Sequence, residues 1–314
     1  MPAPKSPNVE RAREEQAESG ALHPYLSKSR VMGYIKNPRH FYLKYVVGIR
    51  EPENQAMFRG GRVHKVFEDY YEAVLSDVGR NGVLSHPDDL TRYLPEDTTE
   101  WAAWTEPYVV NFVAWERRRL NAAREYVRLT RKSNIKEETA LLYAPVAVED
   151  ELWDWESFGY PVMGFADVVL WSASVPEVEA DEGVTVIDHK TGKSENGFKY
   201  GDKPGGVLDE LEYYTMLFEG EYEVTATAIY YPKDDALLTA TPDEERRAKL
   251  VTEINTLCEL GDSEEEYPTS PGPLCMYGAD PSKRSSYYDL CPDCKWGQQG
   301  GPGPSYVDVN LDPV

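Results

Sequence analysis

The sequence predicts an α/β fold in which a mixed β-sheet is flanked by helices, together with an N-terminal helical block and a helical insertion. After the N-terminal helices, the predicted order is three strands, a helix, a strand and a helix, which suits a mixed sheet covered on both faces. The run VTVIDHK at 184–190 is apolar enough for a buried strand. A chain of 314 residues buries one substantial core, so we expect one main domain.

The chain opens with a polar segment and then turns helical. Residues 1–24 mix Pro, Glu, Ala and Ser without apolar periodicity, which predicts a disordered, mobile tail. Two short helices follow, because Ser27 or Ser29 offers an N-cap and Pro38 suits the first turn of the second helix. Apolar side chains spaced along one face predict a third helix over 58–75.

A helical insertion is predicted at 77–135, where a connection rich in Gly and Pro leads into a long region of arginines interleaved with apolar residues. The remaining elements are predicted as strands over 141–153, 160–171, 184–190 and 222–231 and as helices over 207–218 and 242–260. We place the main domain at 25–260. Residues 261–314 form a cysteine-containing segment that we expect to pack on the N-terminal helices.

The charge distribution bears on whether the protein binds nucleic acid. A net charge of −22 argues against nucleic acid, because the phosphate backbone is bound mainly through Lys and Arg. Residues 27–67, however, carry nine basic against two acidic side chains, and residues 115–132 carry seven against two. The acidic residues in the rest of the chain suggest a halophilic source, or an ordinary acidic protein with solvated charges. No apolar run of membrane-spanning length occurs, so we expect a cytoplasmic protein with no membrane partner.

Two aspartates and a lysine suggest a catalytic centre. Asp167 interrupts the apolar strand GFADVV, and Asp188 follows an apolar run two residues before Lys190. Side chains alternate along a strand, so Asp188 and Lys190 share a face while His189 points away. Carboxylates that hold a divalent ion beside an amine suit phosphodiester hydrolysis. An Asp-x-Lys triplet also occurs by chance, as a strand end followed by a solvated lysine.

Further blocks accompany this triplet in a fixed order. They are LSKSRVMGYIKNPRHFYLKYVVG, GGRVHKVFE, GFADVV, VIDHKTG and LDELEYYTMLFE, between about residues 25 and 296. In this order they resemble the RecB-like exonuclease branch of the PD-(D/E)XK nuclease superfamily, including CRISPR-associated RecB-like exonucleases. The resemblance implies a restriction-endonuclease-like core and a metal-dependent deoxyribonuclease.

The resemblance also implies site roles. His64, Asp167 and Asp188 would bind Mg²⁺ or Mn²⁺, and Lys190 would position the attacking water. The alternative for His64 is a histidine that only packs within its helix. Tyr214 would contact the nucleic-acid strand or brace the site.

One position departs from the family pattern. Glu210 stands where glutamine is usual, and its carboxylate cannot donate a hydrogen bond as an amide does. It would instead lean toward the metal or a basic neighbour.

The implied substrate is DNA, single-stranded or with free ends, in repair, recombination or CRISPR adaptation. A helicase or a CRISPR-adaptation protein would be a further partner. The competing hypothesis is a catalytically weak, nuclease-derived subunit that binds DNA or acts as a scaffold. The intact set of candidate catalytic residues favours an active enzyme. A nucleotide-binding ATPase lacks support, because no G-x-x-x-x-G-K-[ST] loop is present.

Many RecB-like nucleases hold a 4Fe-4S cluster with one cysteine of the opening block and three near the C-terminus. The resemblance assigns the C-terminal three to Cys275, Cys291 and Cys294. Asn37 stands where the first cysteine is expected, and His40, one helical turn later, or Cys258 could replace it. Cys258 could equally pack as a small apolar residue. A cluster with unusual ligation, a Zn²⁺ site and reduced thiols without metal all remain open.

Overall fold

The protein is described by a computed structural model over residues 6–49, 55–95 and 102–270. Its α-helices are α1 Pro7–Ser19, α2 Lys28–Lys36, α3 Pro38–Phe41, α4 Gln55–Asn81, α5 Ala102–Leu129, α6 Ile135–Tyr143, α7 Ser194–Tyr200, α8 Val207–Phe218 and α9 Glu244–Glu259. Its strands are β1 Leu26–Ser27, β2 Ala147–Asp154, β3 Val162–Trp171, β4 Val184–His189, β5 Val224–Tyr231 and β6 Ala236–Ala240. A π-helix at Tyr42–Val46 continues α3, and a 3₁₀ turn at Leu90–Tyr93 lies between α4 and α5.

The six strands form one mixed sheet organised around β3. Along one edge, β3 pairs antiparallel with β2 over most of its length. Because a strand has only two edges, its other partners share the second edge: β1 pairs in parallel at Val162, and β4 pairs antiparallel from Val168 onward. β4 continues into a parallel pairing with β5, which pairs antiparallel with β6. The ends of β1 and β4 therefore approach each other beside the middle of β3.

Helices cover both faces of this sheet. On one face, α4 and α5 pack Phe67, Phe112 and Trp115 against strand residues such as Ile187. On the other face, residues of α2, α8 and α9 pack against β3 and β4, with Tyr213 at the centre of the contact. Two apolar layers on a mixed sheet confirm the predicted α/β class.

Several predicted elements have different bounds. Helix α8 has the predicted bounds, whereas α4 is longer at both ends than predicted. The strand predicted from residue 141 begins at Ala147, because the residues before it belong to α6 and bury Tyr143 beneath α4. Strand β6 was not predicted. Its side chains are mostly half-buried at the sheet edge and give only a weak apolar pattern.

The predicted mobile tail is wrong for residues 7–19, which form helix α1. Ser6 caps the helix, because its Oγ accepts the backbone N–H of Asn8 at 3.2 Å, and Pro7 fits the first turn. The same Oγ donates to Glu151 of β2 at 2.7 Å. Arg11 lies 3.9 Å above the ring of Trp155, and Ala12 is buried. Contacts with residues distant in sequence stabilise the helix. Its own sequence therefore needs little apolar periodicity and shows little.

The described start of the C-terminal segment packs on the opening helices. Arg39 Nε donates to the carbonyl oxygen of Tyr267 at 2.9 Å, and the Tyr267 ring stacks on Phe41 at 6.0 Å between centroids. Residues 271–314 lie outside the described chain, so their packing stays a prediction. No helix among the described residues combines the length and apolarity needed to cross a membrane.

Candidate active site

The candidate site lies where β4 separates from β3. Paired residues run from Trp171 and Val184 to Val168 and Ile187, whereas β4 stays paired with β5 as far as His189. One step beyond the last β3–β4 pair, the register sets Asp167 opposite Asp188. The two predicted carboxylates thus come from neighbouring strands at the point where the sheet divides.

Asp167 contacts three groups at the point where β4 separates from β3. Its Oδ2 accepts the backbone N–H of His189 at 2.5 Å and lies 3.4 Å from Nδ1 of both His64 and His189. Burial raises the pKa of Asp167, but the hydrogen bonds from His189 and His64 outweigh burial and hold the pKa well below its usual range. Asp167 is therefore a carboxylate at neutral pH.

Asp188 is buried beside three donor groups, two of which donate hydrogen bonds to its Oδ1. Its Oδ1 accepts from Lys28 Nζ at 2.9 Å and from the Tyr214 hydroxyl at 3.0 Å, and its Oδ2 lies 2.7 Å from Lys190 Nζ. Burial raises the pKa of Asp188, while Lys190 and Lys28 lower it further, so the net shift is downward. The buried charge is compensated on both oxygens.

Glu210 extends this charge network from α8. Its Oε2 lies 3.2 Å from Lys190 Nζ and 3.5 Å from Lys28 Nζ, and its Oε1 lies 3.5 Å from Lys36 Nζ. Of the two roles considered for Glu210, the geometry matches the one toward basic neighbours. Burial lowers the pKa of Lys190, but Asp188 raises it above the ordinary lysine value, so the amine is a cation.

Tyr214 and His64 complete the predicted set. The Tyr214 ring is buried and its hydroxyl donates to Asp188, which matches the bracing role and leaves little surface for a nucleic-acid strand. His64 projects from α4 to Asp167. Burial lowers the pKa of His64, but Asp167 more than compensates, so the pKa is raised. His64, Asp167, Asp188 and Lys190 are therefore brought together around one division of the sheet.

The donors fit a divalent metal in kind but not in arrangement. Carboxylate oxygens suit Mg²⁺ or Mn²⁺, and Asp167, Asp188 and His64 supply two carboxylates and an imidazole. Within the described residues, however, no three His, Cys, Asp or Glu side chains meet at ligand spacing. Both oxygens of Asp188 already lie against ammonium groups, since Oδ1 accepts from Lys28 and Oδ2 forms an ion pair with Lys190. A metal ion at Asp188 would share these oxygens with the two ammonium groups.

Sequence patterns missed two groups at this site. Lys28 precedes Asp188 by 160 positions and reaches it only because β1 and β4 meet on the same edge of β3. Glu149 on β2 has a left-handed backbone, with φ at 48°. Partial burial and the nearby carboxylates of Asp167 and Glu68 raise the pKa of Glu149 to about 7. No local signal marks either residue, since both depend on strand pairing.

Three arginines of the predicted insertion serve the fold. Arg118 makes a bidentate contact with Asp235 at 2.8 and 3.0 Å, and Arg119 is fully buried against Glu116. Arg117 donates to the carbonyl oxygen of Pro87. These three arginines are therefore engaged within the protein, although the surplus of basic residues in this segment had left a nucleic-acid partner open.

The predicted cysteine cluster falls outside the described residues at Cys275, Cys291 and Cys294. Asn37 is described: its Oδ1 accepts from the His40 backbone N–H at 3.1 Å and its Nδ2 donates to Ser270 O at 3.2 Å. The Asn37 side chain thus caps α3 and fixes the segment that leads to the cysteines. Cys258 packs beside the apolar layer of α9, and burial raises the pKa of its thiol to about 11.

Comparison with known proteins agrees with this geometry. The family model described as the PD-(D/E)XK nuclease superfamily matches residues 25–296, which include every candidate residue of the site. No curated protein matches the chain. Members of this superfamily are nucleases that typically use Mg²⁺ or Mn²⁺.

Proposed function

Since the chain belongs to the PD-(D/E)XK nuclease superfamily, we propose that it is a Mg²⁺- or Mn²⁺-dependent DNA exonuclease that hydrolyses phosphodiester bonds. Its motifs resemble those of the RecB-like exonucleases, and repair, recombination or CRISPR adaptation are its proposed settings. The observation that carries the proposal is the meeting of Asp167 and Asp188 across β3 and β4, with the Lys190 ammonium 2.7 Å from Asp188.

The proposed roles follow from charge and position. Asp167, Asp188 and His64 would hold the ion, which when bound polarises the phosphate and lowers the pKa of water. Lys190 is a cation, so it orients the attacking water and offsets negative charge that develops on the phosphate. Tyr214 keeps Asp188 in place through its hydroxyl.

Exposed aromatic side chains support a single-stranded or frayed DNA end as substrate. Phe58 lies at the start of α4, the helix that carries His64, and is 57% exposed. Phe198 and Tyr200 lie on α7, which follows β4, and Phe198 is 56% exposed. The start of α4 approaches the loop between β4 and α7, because a Cβ at Gly60 would contact Thr191 Oγ1 at 3.4 Å. Unpaired bases stack on such rings at about 1–3 kcal/mol each.

The decisive experiment distinguishes cleavage of DNA from binding of DNA, and cleavage at DNA ends from cleavage at interior sites. Linear single- and double-stranded DNA, labelled at either end, is incubated with Mn²⁺ or Mg²⁺ at low and high salt beside covalently closed circles of the same sequence. An exonuclease degrades the linear DNA and spares the circles. Asp188→Asn should abolish cleavage while DNA binding persists, and Asp202→Asn, which alters an exposed carboxylate on Arg246, is the matched control.

Cleavage of closed circles would replace exonuclease with endonuclease activity. The second candidate, a DNA-binding or scaffolding subunit, gains some support from the ammonium groups that already engage Asp188. It predicts DNA binding without cleavage under every metal condition, and equal behaviour of the wild-type protein and Asp188→Asn.

A further inference from the structure

A second lysine lies inside the candidate site. Lys28 follows β1 directly, and its Nζ lies 2.9 Å from Asp188 Oδ1 and 4.8 Å from the centroid of the Tyr214 ring. Its side chain is only 17% exposed. An ammonium group at this depth needs a compensating carboxylate, because an unpaired buried charge is strongly destabilising.

A second acceptor for Lys28 is already in place. Glu210 Oε2 lies 3.5 Å from Lys28 Nζ, beyond hydrogen-bond geometry for that pair. Although this oxygen is buried, it accepts no hydrogen bond from the described residues and makes only the ion-pair contacts with Lys28 and Lys190. A small movement of Lys28 would thus exchange one carboxylate for another without exposing its charge.

We propose that Lys28 and a divalent cation compete for Asp188 Oδ1, and that Glu210 accepts the Lys28 ammonium when the cation binds. Lys28 and Glu210 are positioning residues in this exchange. The inference rests on the proposed metal-dependent function and deepens it. It also accounts for glutamate where the resemblance leads one to expect glutamine, because a neutral amide would leave the displaced ammonium without a counter-charge.

Binding of Mn²⁺, measured by calorimetry without DNA, tests the exchange. Glu210→Gln should weaken Mn²⁺ binding about tenfold, within the range of about 5- to 150-fold typical of coupled sites. Lys28→Met removes the competitor and should tighten Mn²⁺ binding. In the double variant the effect of Glu210→Gln should disappear, because no ammonium remains to be accepted.

The inference is wrong if Glu210→Gln weakens Mn²⁺ binding as much in the Lys28→Met protein as in the wild type. Glu210 would then act on the cation directly or through Lys190. Unchanged or weaker Mn²⁺ binding by Lys28→Met would overturn the inference as well. Lys28→Gln repeats the cycle if Lys28→Met unfolds, and circular dichroism checks each variant. The exposed pair of Lys249 and Glu245, altered to Met and Gln, controls for net charge alone.

Failure of this inference is distinguishable from failure of the proposed function. If the wild-type protein neither binds Mn²⁺ nor cleaves DNA, both are wrong. If it binds Mn²⁺ and cleaves DNA while the effects of the two substitutions simply add, the nuclease assignment stands and only the exchange is wrong.

Discussion

The carboxylate of Asp167 accepts the backbone N–H of His189 at 2.5 Å, across the point where β4 separates from β3. The side chain thereby joins the two strands beyond their last paired residues. His189 directly follows Asp188, so Asp167 also fixes the end of the strand that carries the second candidate carboxylate. One aspartate has both a structural and a proposed catalytic role.

These two roles predict different effects for two substitutions. Asp167→Ala leaves the buried amide of His189 without an acceptor and should lower the free energy of unfolding by about 1–3 kcal/mol. Asp167→Asn keeps an oxygen that accepts the amide and should unfold nearly as the wild type does. Both variants should lose cleavage. Urea denaturation and the end-labelled DNA assay measure the two effects, and equal stability of both variants would contradict the structural role.

Lys190 should act as a fixed cation and not as a general base. Its ammonium is held by Asp188 and Glu210, and its pKa lies above the ordinary lysine value. Activity should therefore show no transition from Lys190 as the pH rises from about 7 to about 10. Lys190→Met should reduce kcat by about 10²- to 10³-fold, and Lys190→Arg should retain part of the activity. A transition in that range that is absent from Lys190→Arg would contradict this role.

The buried pair of Arg119 and Glu116 should stabilise the fold without contributing to the site. Both side chains are fully buried, and Arg119 also donates to Tyr143 O and Ser174 Oγ. Arg119→Met leaves Glu116 uncompensated and should cost about 3–5 kcal/mol. Adding Glu116→Gln should recover part of that loss, because the neutral amide can still accept from Tyr71. Thermal denaturation of the single and double variants measures the coupling, and additive losses would contradict it.

Asp77 should make the stability of the fold sensitive to acid. Its carboxylate accepts from Asn81, the Ser85 backbone and hydroxyl, and Tyr93, closing the loop after α4. Burial raises the pKa of Asp77, but these hydrogen bonds lower it from 3.8 to about 2. Its contribution is therefore complete above the ordinary pKa and is lost as the pH falls through about 2.

Asp77→Asn carries no ionisable group at this position. Its stability should consequently fall less than that of the wild-type protein between about pH 4 and pH 2, a range set by the two pKa values. Urea denaturation at several pH values makes the comparison. Parallel loss of stability in both proteins would assign the acid sensitivity to other carboxylates.

The C-terminal cysteines should bind a metal. We expect anaerobically purified protein to contain iron or zinc in near-stoichiometric amount. Cys291→Ala should lose that metal and much of the thermal stability, since ligation contributes folding free energy. Cys258→Ala is the matched control, because this thiol packs on the apolar layer. If the purified protein contains no metal and Cys291→Ala leaves its melting temperature unchanged, the cysteines are reduced thiols without metal.

Local sequence determined the class of fold and pointed to the candidate site residues. The apolar run before Asp188, the two-residue spacing to Lys190 and the bounds of α8 all depend on neighbours in the chain, so periodicity and motif order were sufficient to find them. The same signals failed for α1, whose contacts with β2 involve residues more than 100 positions away.

Only the tertiary structure decided which charges meet. Lys28 lies beside Asp188 because two strands distant in sequence approach each other along one edge of β3. The role of Glu210 follows from that meeting, since its carboxylate faces three lysines, two on α2 and one directly after β4. Strand register joins residues that no local spacing relates, so the sequence identified the carboxylates proposed to hold the ion, and the fold placed an ammonium group beside one of them.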